Sequence, residues 1–406
     1  MILYFTSKNF RYAASIILFC FLLSIEKSYS QTLDSLKQKD FSKLTLQELV
    51  ETEISVANQI KIPLNESPGI ISIISEEEIK NSGARDLLEL LQQIPGFDFG
   101  AEWDNIIGLG IRGNNATEGK FLLLFDGHQL NETNFGSFSF GNHIFLNNIS
   151  KIEIIRGPGS VVYGGSAELA VINIISKKGI ENNGVKISSE YGFSDNATSY
   201  YTFQAASGKK FNNGLDLVIS AGYKNAARSN RKIITLDTTI INYKDNSLIE
   251  TGNISIQSQF KGNTTRLMYD RNLIQNTEAV GSVLFENLFA SSENEIKIKE
   301  NFVVKPRINI KYQKPWYFIE NKSKEFYNSI NSRYSINLPC YFELKEKLTL
   351  VTGLEAILDH SKKVNDTVIF TINNKREIDF YNFSAFSEIF YKSKIINITA
   401  GGRIEH

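Results

Sequence analysis

The chain has 406 residues, and its 44 basic and 44 acidic side chains cancel to give a pI near 6.9. This balance gives no indication of nucleic acid or an anionic surface as a partner, and the length allows more than one domain. Of the two cysteines, Cys20 lies in an N-terminal apolar run. Cys340 would therefore remain alone in the mature chain, and no internal disulfide could form.

The N-terminus has the pattern of a secretory signal peptide at residues 1–30. Lys8 and Arg11 precede an apolar run from Ala13 to Ile25, and the small residues of SYSQ predict cleavage before Gln31. A membrane anchor is the alternative, but the run is shorter than the roughly 20 residues that a span needs. The sequence therefore predicts an exported protein.

Residues 58–180 have the pattern of a mixed α/β domain. In GIISIISEEEIKNSG a short strand leads into a helix, with Ser75 and Glu78 as a predicted capping box. ARDLLELLQQIPGF places its leucines on one helical face, and Pro95-Gly96 is predicted to end the helix. IIGLGIRG, KFLLLFDGHQL and the apolar runs of residues 152–178 are predicted short strands. The turn residues predicted after the first two of these strands are Gly113, Asp126 and Gly127.

Beyond residue 180 the pattern changes to alternation of apolar and polar residues. In GLDLVISAGYK, Leu217 and Ile219 fall on one face, and Asp216 and Val218 on the other. About ten to twelve such segments, with aromatic ends and polar connectors, are typical of a transmembrane β-barrel. A soluble β-sandwich is the alternative, but the signal peptide and the small or polar inward set favour the barrel.

The connectors between these segments also alternate in length. SGKKFNNG is short, whereas long loops are predicted from Asn225 to about Ser247 and from Asn272 to about Glu300. Short turns on one side and long loops on the other are the pattern of bacterial outer-membrane barrels.

These residues together carry the pattern of a known family. The first half resembles the plug domain of TonB-dependent outer-membrane receptors, and the second half resembles the N-terminal part of their barrel. The resemblance implies a mixed α/β plug domain at 58–180, followed by antiparallel transmembrane β-barrel strands at 181–406. The matching marks are SPGIISIISEEEIKNSGARDLLELLQQIPGF, IRG at 111–113, LLLFDG at 122–127 and IEIIRGPGSVVYGGSAELAVINIISKKG.

The resemblance gives the glycine-rich segment a mechanical role. In such receptors the plug fills the lumen of a barrel of about 22 strands. Ile152–Ile155 and Val171–Ile175 would then be plug strands, joined by turns where a Cβ would clash. The residues expected in these turns are Gly157, Pro158, Gly159, Gly164 and Gly165.

The N-terminal extension at 31–57 contains ETEISVANQ, which resembles the TonB box, the energy-coupling segment of the family. The residues taken as the box are Glu53, Ile54, Ser55, Val56 and Ala57. Its β-prone residues between polar flanks suit the addition of a strand to the sheet edge of TonB. An ordinary linker or a first plug strand is the alternative.

The resemblance also implies an ion cluster between plug and barrel. Arg112 and Arg156 lie where the family carries two plug arginines that meet barrel glutamates. The alternation puts Glu355 and Glu388 on the lumen side, because a carboxylate facing lipid is costly. Guanidinium nitrogens are therefore expected within about 4 Å of these carboxylate oxygens. Four separately solvated lumen charges are the alternative.

The resemblance implies a receptor of the Gram-negative outer membrane that imports a scarce nutrient such as an iron–siderophore or a similar chelate. Its partners would be the TonB protein of the inner membrane, a small-molecule or metal-chelate ligand and outer-membrane lipid, without nucleic acid. A passive channel or a surface adhesin with the same barrel is the alternative. The plug marks argue against an open channel, and the TonB segment argues against an adhesin.

Neither enzymatic activity nor a cofactor is predicted. No Gly-Lys-Ser/Thr of a Walker loop is present, Val162 replaces the third glycine of a dinucleotide fingerprint, and Glu168 replaces the last glycine of a nucleophile elbow. The histidines show no metal-ligand spacing, so a metal site is not predicted and they are expected in loops or in the lumen. They are His128, His143, His360 and His406.

The number of barrel residues departs from the family pattern. A barrel of about 22 strands, at roughly 10 residues a strand, needs far more residues than follow position 180. The chain also ends within an alternating stretch, AGGRIEH. The sequence therefore predicts an incomplete barrel, as expected of a truncated gene product, a partial assembly or a trimmed chain.

Overall fold

A computed structural model describes most of the chain beyond the N-terminal extension. Within the described ranges, no helix has both the length and the apolar character needed to cross a membrane. The described residues are 53–54, 62–63, 70–101, 106–114, 119–157, 159–165, 167–194, 197–227, 229, 231–234, 238–243, 247–275, 281–319, 328–345, 347–364, 375–393 and 396–406.

The first half of the chain folds around a five-stranded sheet of order β3-β8-β9-β6-β7. Strands β6 and β9 are parallel and the other neighbours are antiparallel, while β4 and β5 form a separate hairpin. The elements are β1 (Glu53–Ile54), β2 (Ile62–Pro63), β3 (Ile70–Ser75), α1 (Glu76–Asn81), α2 (Leu87–Leu91), β4 (Phe97–Ala101), β5 (Ile107–Ile111), β6 (Phe121–Phe125), β7 (His128–Gln129), β8 (Ile149–Arg156), α3 (Ser160–Tyr163), β9 (Ala170–Ser176) and α4 (Gly179–Asn182).

The central strands of this sheet are buried on both faces. Ile152 and Ile154 of β8 and Ile172 and Ile174 of β9 are fully buried. A strand covered on both sides favours β-branched apolar residues without alternation, which is the pattern of IEII and AVINII. The strands predicted around the glycine-rich segment are therefore confirmed, and each is slightly longer than expected.

The helices begin and end for local reasons. The capping box before α1 is confirmed: Ser75 Oγ accepts from Glu78 N at 3.2 Å, and Glu78 Oε2 accepts from Ser75 N at 2.7 Å. Helix α2 ends at Leu91, four residues before the predicted Pro95. It ends early because Ile94 N bonds to Leu91 O at 3.0 Å, an i to i−3 bond that tightens the chain into a turn.

Replacing Ser75 with alanine is expected to destabilise the first turn of α1. The change removes the acceptor for Glu78 N, and loss of an N-cap of this kind costs about 1 kcal/mol. Faster hydrogen exchange of the α1 amides in the intact chain, measured by mass spectrometry, would check this. Replacing Ser82, which follows the helix, with alanine provides a matched control; equal exchange in Ser75→Ala and wild type would contradict the capping role.

The second half is a 13-stranded sheet whose main path is β10-β11-β12-β15-β16-β17-β20-β21-β22-β23-β24. Neighbouring strands on this path are antiparallel, and the short β18–β19 pair joins it through β21. Strands β13 and β14 form a separate two-stranded sheet. The elements are β10 (Gly184–Ser194), β11 (Ala197–Lys210), β12 (Asp216–Ala227), β13 (Lys232–Ile234), β14 (Ile240–Asn242), β15 (Leu248–Phe260), β16 (Asn263–Gln275), β17 (Ser282–Asn294), β18 (Ile296–Lys299), β19 (Phe302–Val304), β20 (Arg307–Ile319), β21 (Ser329–Lys345), β22 (Leu348–Lys363), β23 (Glu377–Lys392) and β24 (Asn397–Glu405).

This sheet is open, because its two edge strands β10 and β24 do not pair with each other in the described part of the chain. The expectation of an incomplete barrel is confirmed. We call the sheet the wall and the first domain the plug. Met268 and Phe289 of the wall belong to the same buried cluster as the plug core, so the plug packs against the inner face of the wall.

The two faces of the wall differ as the alternation predicts. On the outer face, Ile254, Leu354 and Phe383 are 51%, 60% and 59% exposed, whereas inward-facing Val218 and Val351 are buried. Outward apolar residues would be costly to expose to water and suit contact with lipid.

Connections between strands are short on one side of the wall and mostly long on the other. Residues 261–262 and 346–347 join strands on the side where β10 begins, and residues 228–247 and 364–376 join strands on the opposite side. The predicted loop from Asn272 to Glu300 is wrong, because β16 and β17 occupy most of it. Two of its polar residues face inward: Asn287 donates to Asp270 of the wall, and Ser291 Oγ lies 2.7 Å from His128 Nε2 of the plug.

Candidate functional site

The inner wall holds the plug through buried side chains that bond to plug carbonyls. Arg307 Nη1 donates to Gly127 O at 3.1 Å, while Glu293 Oε2 accepts from Arg307 Nε at 2.6 Å. On the same strand, Lys311 Nζ donates to Asn131 O, and this lysine is 5% exposed. Side-chain donors on β20 are thus aimed at fixed acceptors of the plug.

The next strands of the wall continue this contact. Arg333 Nη1 donates to Gln129 Oε1 at 2.9 Å, and two further nitrogens of Arg333 bond to the carboxylate of Asp359 at 2.6 and 2.7 Å. Asn331 Nδ2 donates to Thr133 Oγ1 at 2.6 Å. A guanidinium held bidentately by a carboxylate has a fixed orientation, which positions its remaining donor.

A deeply buried polar contact joins His143 of the plug to Asp270 of β16. His143 Nε2 lies 2.9 Å from Asp270 Oδ2, and the two side chains are 2% and 4% exposed. His143 Nδ1 lies 2.7 Å from Ser139 O, and Asn287 Nδ2 donates to Asp270 Oδ2 at 2.9 Å. Gln313 Nε2 donates to Asn287 Oδ1 at 2.8 Å, so a continuous polar network crosses from plug to wall.

Two plug histidines face the wall in opposite electrostatic settings. Burial lowers the pKa of His143, but the Asp270 carboxylate and hydrogen bonds to both ring nitrogens outweigh it and raise the pKa overall. Burial lowers the pKa of His128 well below its usual range, and Arg266, Arg307 and Lys311 add to the shift. His128 is therefore neutral, whereas the charged form of His143 is favoured.

The candidate TonB box lies partly within the described residues. Glu53–Ile54 forms β1, which pairs antiparallel with Ile62–Pro63 of β2. Ser55, Val56 and Ala57 lie outside the described residues, as does the predicted signal peptide at 1–30. The backbone at the start of the box therefore takes part in a short β-ladder.

Three predicted turn residues have left-handed backbones. Gly113, Asp126 and Gly127 have φ values of 80°, 50° and 81°. At Asp126 the side chain explains why a non-glycine residue is tolerated: Oδ1 accepts from Ser176 N at 2.9 Å and Oδ2 from Ser176 Oγ at 2.6 Å. This turn is thereby tied to the end of β9.

The glycine-rich turn between β8 and β9 uses its glycines unequally. Gly157 and Gly164 have φ values of 154° and 79°, and a Cβ on Gly159 would lie 2.7 Å from Val171 Cγ2. The expectation that a Cβ would clash is wrong at Gly165. A Cβ there would meet no atom within 4 Å, and the φ of this residue is not in the left-handed region. Pro158 lies outside the described residues.

The two plug arginines lie side by side. Arg112 Nη2 donates to Arg156 O at 3.4 Å, and Arg156 Nη1 donates to Pro95 O at 3.2 Å. These bonds connect the β4–β5 hairpin to the end of β8. Both guanidinium groups therefore contribute to contacts within the plug.

The predicted ion cluster does not form between the described residues. Glu355 pairs instead with Arg403 of β24, and accepts from Ser384 Oγ at 3.3 Å. Glu388 is 8% exposed and its Oε2 has no hydrogen-bond partner among the described atoms. Both glutamates are on the plug side, but Arg403 reaches Glu355 across the inner face.

Arg403 is a residue that sequence reasoning missed. Its Nη1 also lies 3.5 Å from Val162 O of the plug, so it contacts both domains. The alternation of β24 could have indicated its position. Arg403 lies on the same face as Gly401, opposite to the outward-facing Ile404. Pairing with Glu355 required the order of the strands, which alternation alone does not give.

Comparison with known proteins identifies a family match in the first half of the chain. Residues 63–171 match the TonB-dependent Receptor Plug Domain. A vitamin B12 transporter of Vibrio vulnificus (strain CMCP6) is 28% identical over 224 residues, which are 54% of this chain and 35% of that protein. A vitamin B12 transporter of Vibrio cholerae is 29% identical over 160 residues, covering 39% of this chain and 25% of that one.

Solved structures show the same fold at low identity. The unliganded ferric citrate transporter FecA matches with a TM-score of 0.62 at 14% identity, over 88% of this chain and 59% of its own. The ferric enterobactin receptor PfeA of Pseudomonas aeruginosa matches with a TM-score of 0.63 at 16% identity, over 87% of this chain and 59% of its own. The copper transporter OprC matches with a TM-score of 0.56 at 14% identity, over 88% of this chain and 56% of its own. The chain spans about a third of the first relative and somewhat over half of these structures.

Proposed function

We propose that this chain is part of a TonB-dependent receptor and that the protein works as an outer-membrane transporter for a scarce nutrient, such as an iron–siderophore or similar chelate. The named relatives are transporters of vitamin B12, ferric citrate and copper. In this proposal the chain makes and breaks no covalent bond.

One observation carries the proposal: a separately folded plug lies on the inner face of a wall with an apolar outer surface. Fixed donors on β20 and β21 hold the plug from one side. Buried apolar contacts with Met268 and Phe289 of the wall add to these hydrogen bonds and ion pairs. The polar part of the interface can exchange its partners for water when the plug moves, which is compatible with gated transport.

Coupling to energy would use the N-terminal extension. We infer that Glu53–Ala57 is the TonB box and pairs as a strand with the TonB protein of the inner membrane. Strand addition needs free backbone donors and acceptors, which a short two-residue ladder such as β1–β2 gives up at low cost. Tension on this segment would then act directly on the plug. The signal peptide at 1–30 and outer-membrane lipid around the wall belong to the same proposal.

Replacing Ile54 with proline is expected to abolish binding to TonB. Proline removes a backbone donor and fixes φ, so the segment can no longer complete a ladder with the partner sheet. Pull-down of the purified periplasmic domain of TonB by the full chain in detergent measures the effect. Gln59→Pro, outside the proposed box, is the matched control; equal TonB binding by Ile54→Pro and wild type would place the box elsewhere.

A further inference from the structure

A cavity of about 580 Å³ separates the plug from the first strands of the wall. Helix α1 and residues 144–149 border it on the plug side, and β10, β11, β12 and β15 border it on the wall side. Its volume is within the roughly 300–1,000 Å³ that is usual for small-molecule sites. It is distinct from the candidate TonB box and from the contacts on β20 and β21.

The cavity exists because three adjacent wall strands carry small residues in one transverse row. Lys186, Ala206, Ser220 and Ser255 are successive cross-strand partners on β10, β11, β12 and β15. Cross-strand partners point to the same face, so these side chains face the plug together. The three small ones leave a gap beside the long Lys186, and the hydroxyl groups of Ser220 and Ser255 lie 2.7 Å from each other.

The adjacent row of the wall closes one end of the gap. A Cβ on Gly222 would lie 3.0 Å from ring atoms of Phe145, so the plug ring packs directly on the glycine backbone. Two polar contacts cross the gap nearby: Asn148 Nδ2 donates to Ser220 Oγ at 3.3 Å, and Asn147 Nδ2 donates to Ser188 Oγ. Two polar contacts and one aromatic ring thus separate the cavity from the rest of the interface between plug and wall.

Positive charge gathers at the other end. Lys177 Nζ lies 2.9 Å from Glu76 Oε1, and Lys80 pairs with the same carboxylate oxygen. Burial lowers the pKa of Lys177 despite Glu76, and repulsion from Lys186 and Lys80 adds to the effect. Lys186 Nζ donates to Glu181 O at 3.4 Å. Lys80, Lys177 and Lys186 line the cavity together with Glu76.

The remaining charged lining residues do not reverse this excess. Arg85 and Glu190 also border the cavity, and Glu89 holds Arg85 in an ion pair outside it. Lys186 is the third residue of β10, on the side of the wall with short connections, which is the periplasmic side in outer-membrane barrels. The cationic end of the cavity is therefore its periplasmic end.

We propose that this cavity is an inner binding site for a small, multiply charged oxyanion, bearing carboxylate or phosphate groups. Lys80 and Lys186 supply charge-assisted hydrogen bonds, and the hydroxyl groups of Ser220 and Ser255 accept or donate to the rest of the ligand. The role of the site as a stage of transport rests on the proposed function; the binding itself does not. A ligand released from the outer side would be held here, between plug and wall, before leaving.

Citrate is the probe that tests this site, and the full chain in detergent micelles is the protein. Isothermal titration calorimetry should show citrate binding that weakens with salt, and triethyl citrate, the uncharged ester of the same skeleton, should not bind. Lys80→Gln and Lys186→Gln should each weaken citrate binding about tenfold. Ala206→Trp, which fills the gap, should abolish it.

Lys209→Gln and Lys261→Gln are the matched controls, because they remove the same charge at positions where the ammonium lies over Phe211 and Phe260. Lys80 has a 66% exposed side chain, so its replacement leaves folding intact. Absence of citrate binding, or equal losses in the controls, would overturn the inference. Citrate binding with the expected variant pattern, in a chain that does not bind TonB, would instead leave the site standing and remove the transport function.

Discussion

Replacing Asp270 with alanine is expected to weaken the docking of the plug on the wall by roughly 3–5 kcal/mol. The carboxylate is the only acceptor shown for His143 Nε2 in the described structure, and it also accepts from Asn287. Its removal leaves a buried imidazole and a buried amide donor unsatisfied. The large effect arises from these stranded groups rather than from the net strength of the ion pair.

Hydrogen exchange of the β8 and β9 amides in the intact chain measures this change, because opening of the plug exposes these buried strands to solvent. The double variant His143→Ala with Asp270→Ala should cost less than the sum of the single changes. Asp379→Ala is a matched control from the same wall. His360 Nδ1 lies 2.7 Å from Asp379 Oδ1, but these side chains are 36% and 49% exposed, so the loss should stay below about 1 kcal/mol.

The same contact gives docking a defined pH dependence. The folded-state pKa of His143 is raised above its unfolded value, so the protonated form stabilises the docked plug. This contribution is complete below the unfolded pKa of about 6.5 and is lost as the pH rises through the folded pKa. Protection of β8 and β9, corrected for intrinsic exchange, should fall over that window in wild type and stay flat in His143→Ala.

Equal costs for Asp270→Ala and Asp379→Ala would show that the buried contact does not hold the plug.

The sequence was sufficient for features that depend on neighbouring residues. The capping box of Ser75 and Glu78, the strands flanking the glycine-rich turn and the outward set of Leu354 and Phe383 follow from spacing along one segment. Each is a property of a few consecutive residues. The structure therefore reproduces them with small shifts of the ends.

Features that join distant segments were not accessible in this way. His143 and Asp270 are 127 residues apart, and Glu355 and Arg403 are 48 apart. Alternation gives the face of each strand but not the strand order or the rotation of the plug against the wall. The family resemblance supplied Arg112 and Arg156 as partners for the glutamates, whereas in the structure Glu355 pairs with Arg403.

The stretch NETNFGSFSFGNHIF, residues 131–145, shows this difference most clearly. It has neither helical nor alternating periodicity, and its polar and glycine residues read as a loop. In the fold its polar residues contact β16, β20 and β21 of the wall, while three of its phenylalanines pack against other rings. Its role depends on what surrounds it, so no local pattern could reveal it.

Replacing Phe140 in this stretch with alanine is expected to destabilise the plug by about 3–5 kcal/mol, the usual cost of truncating a buried phenylalanine. Phe140 is 1% exposed, and its ring centroid lies 4.9 Å from Phe138, 5.5 Å from Phe99 and 5.8 Å from Phe121. The cavity would open where the hairpin β4–β5, strand β6 and the wall-facing stretch meet. Loss of one ring would therefore loosen both the plug core and the segment that carries His143.

Phe135→Ala is the matched control, since it is the same change in the same stretch at a ring that is 59% exposed. Phe135 packs edge-on against Trp316 at 6.0 Å, so its loss should cost no more than about 1 kcal/mol. Denaturant unfolding of the full chain, followed by hydrogen exchange of β8 and β9, compares the two variants. Equal midpoints for Phe140→Ala and Phe135→Ala would show that this stretch lies on the plug as an ordinary loop. A large loss confined to Phe140→Ala would place it in the core that holds the plug against the wall.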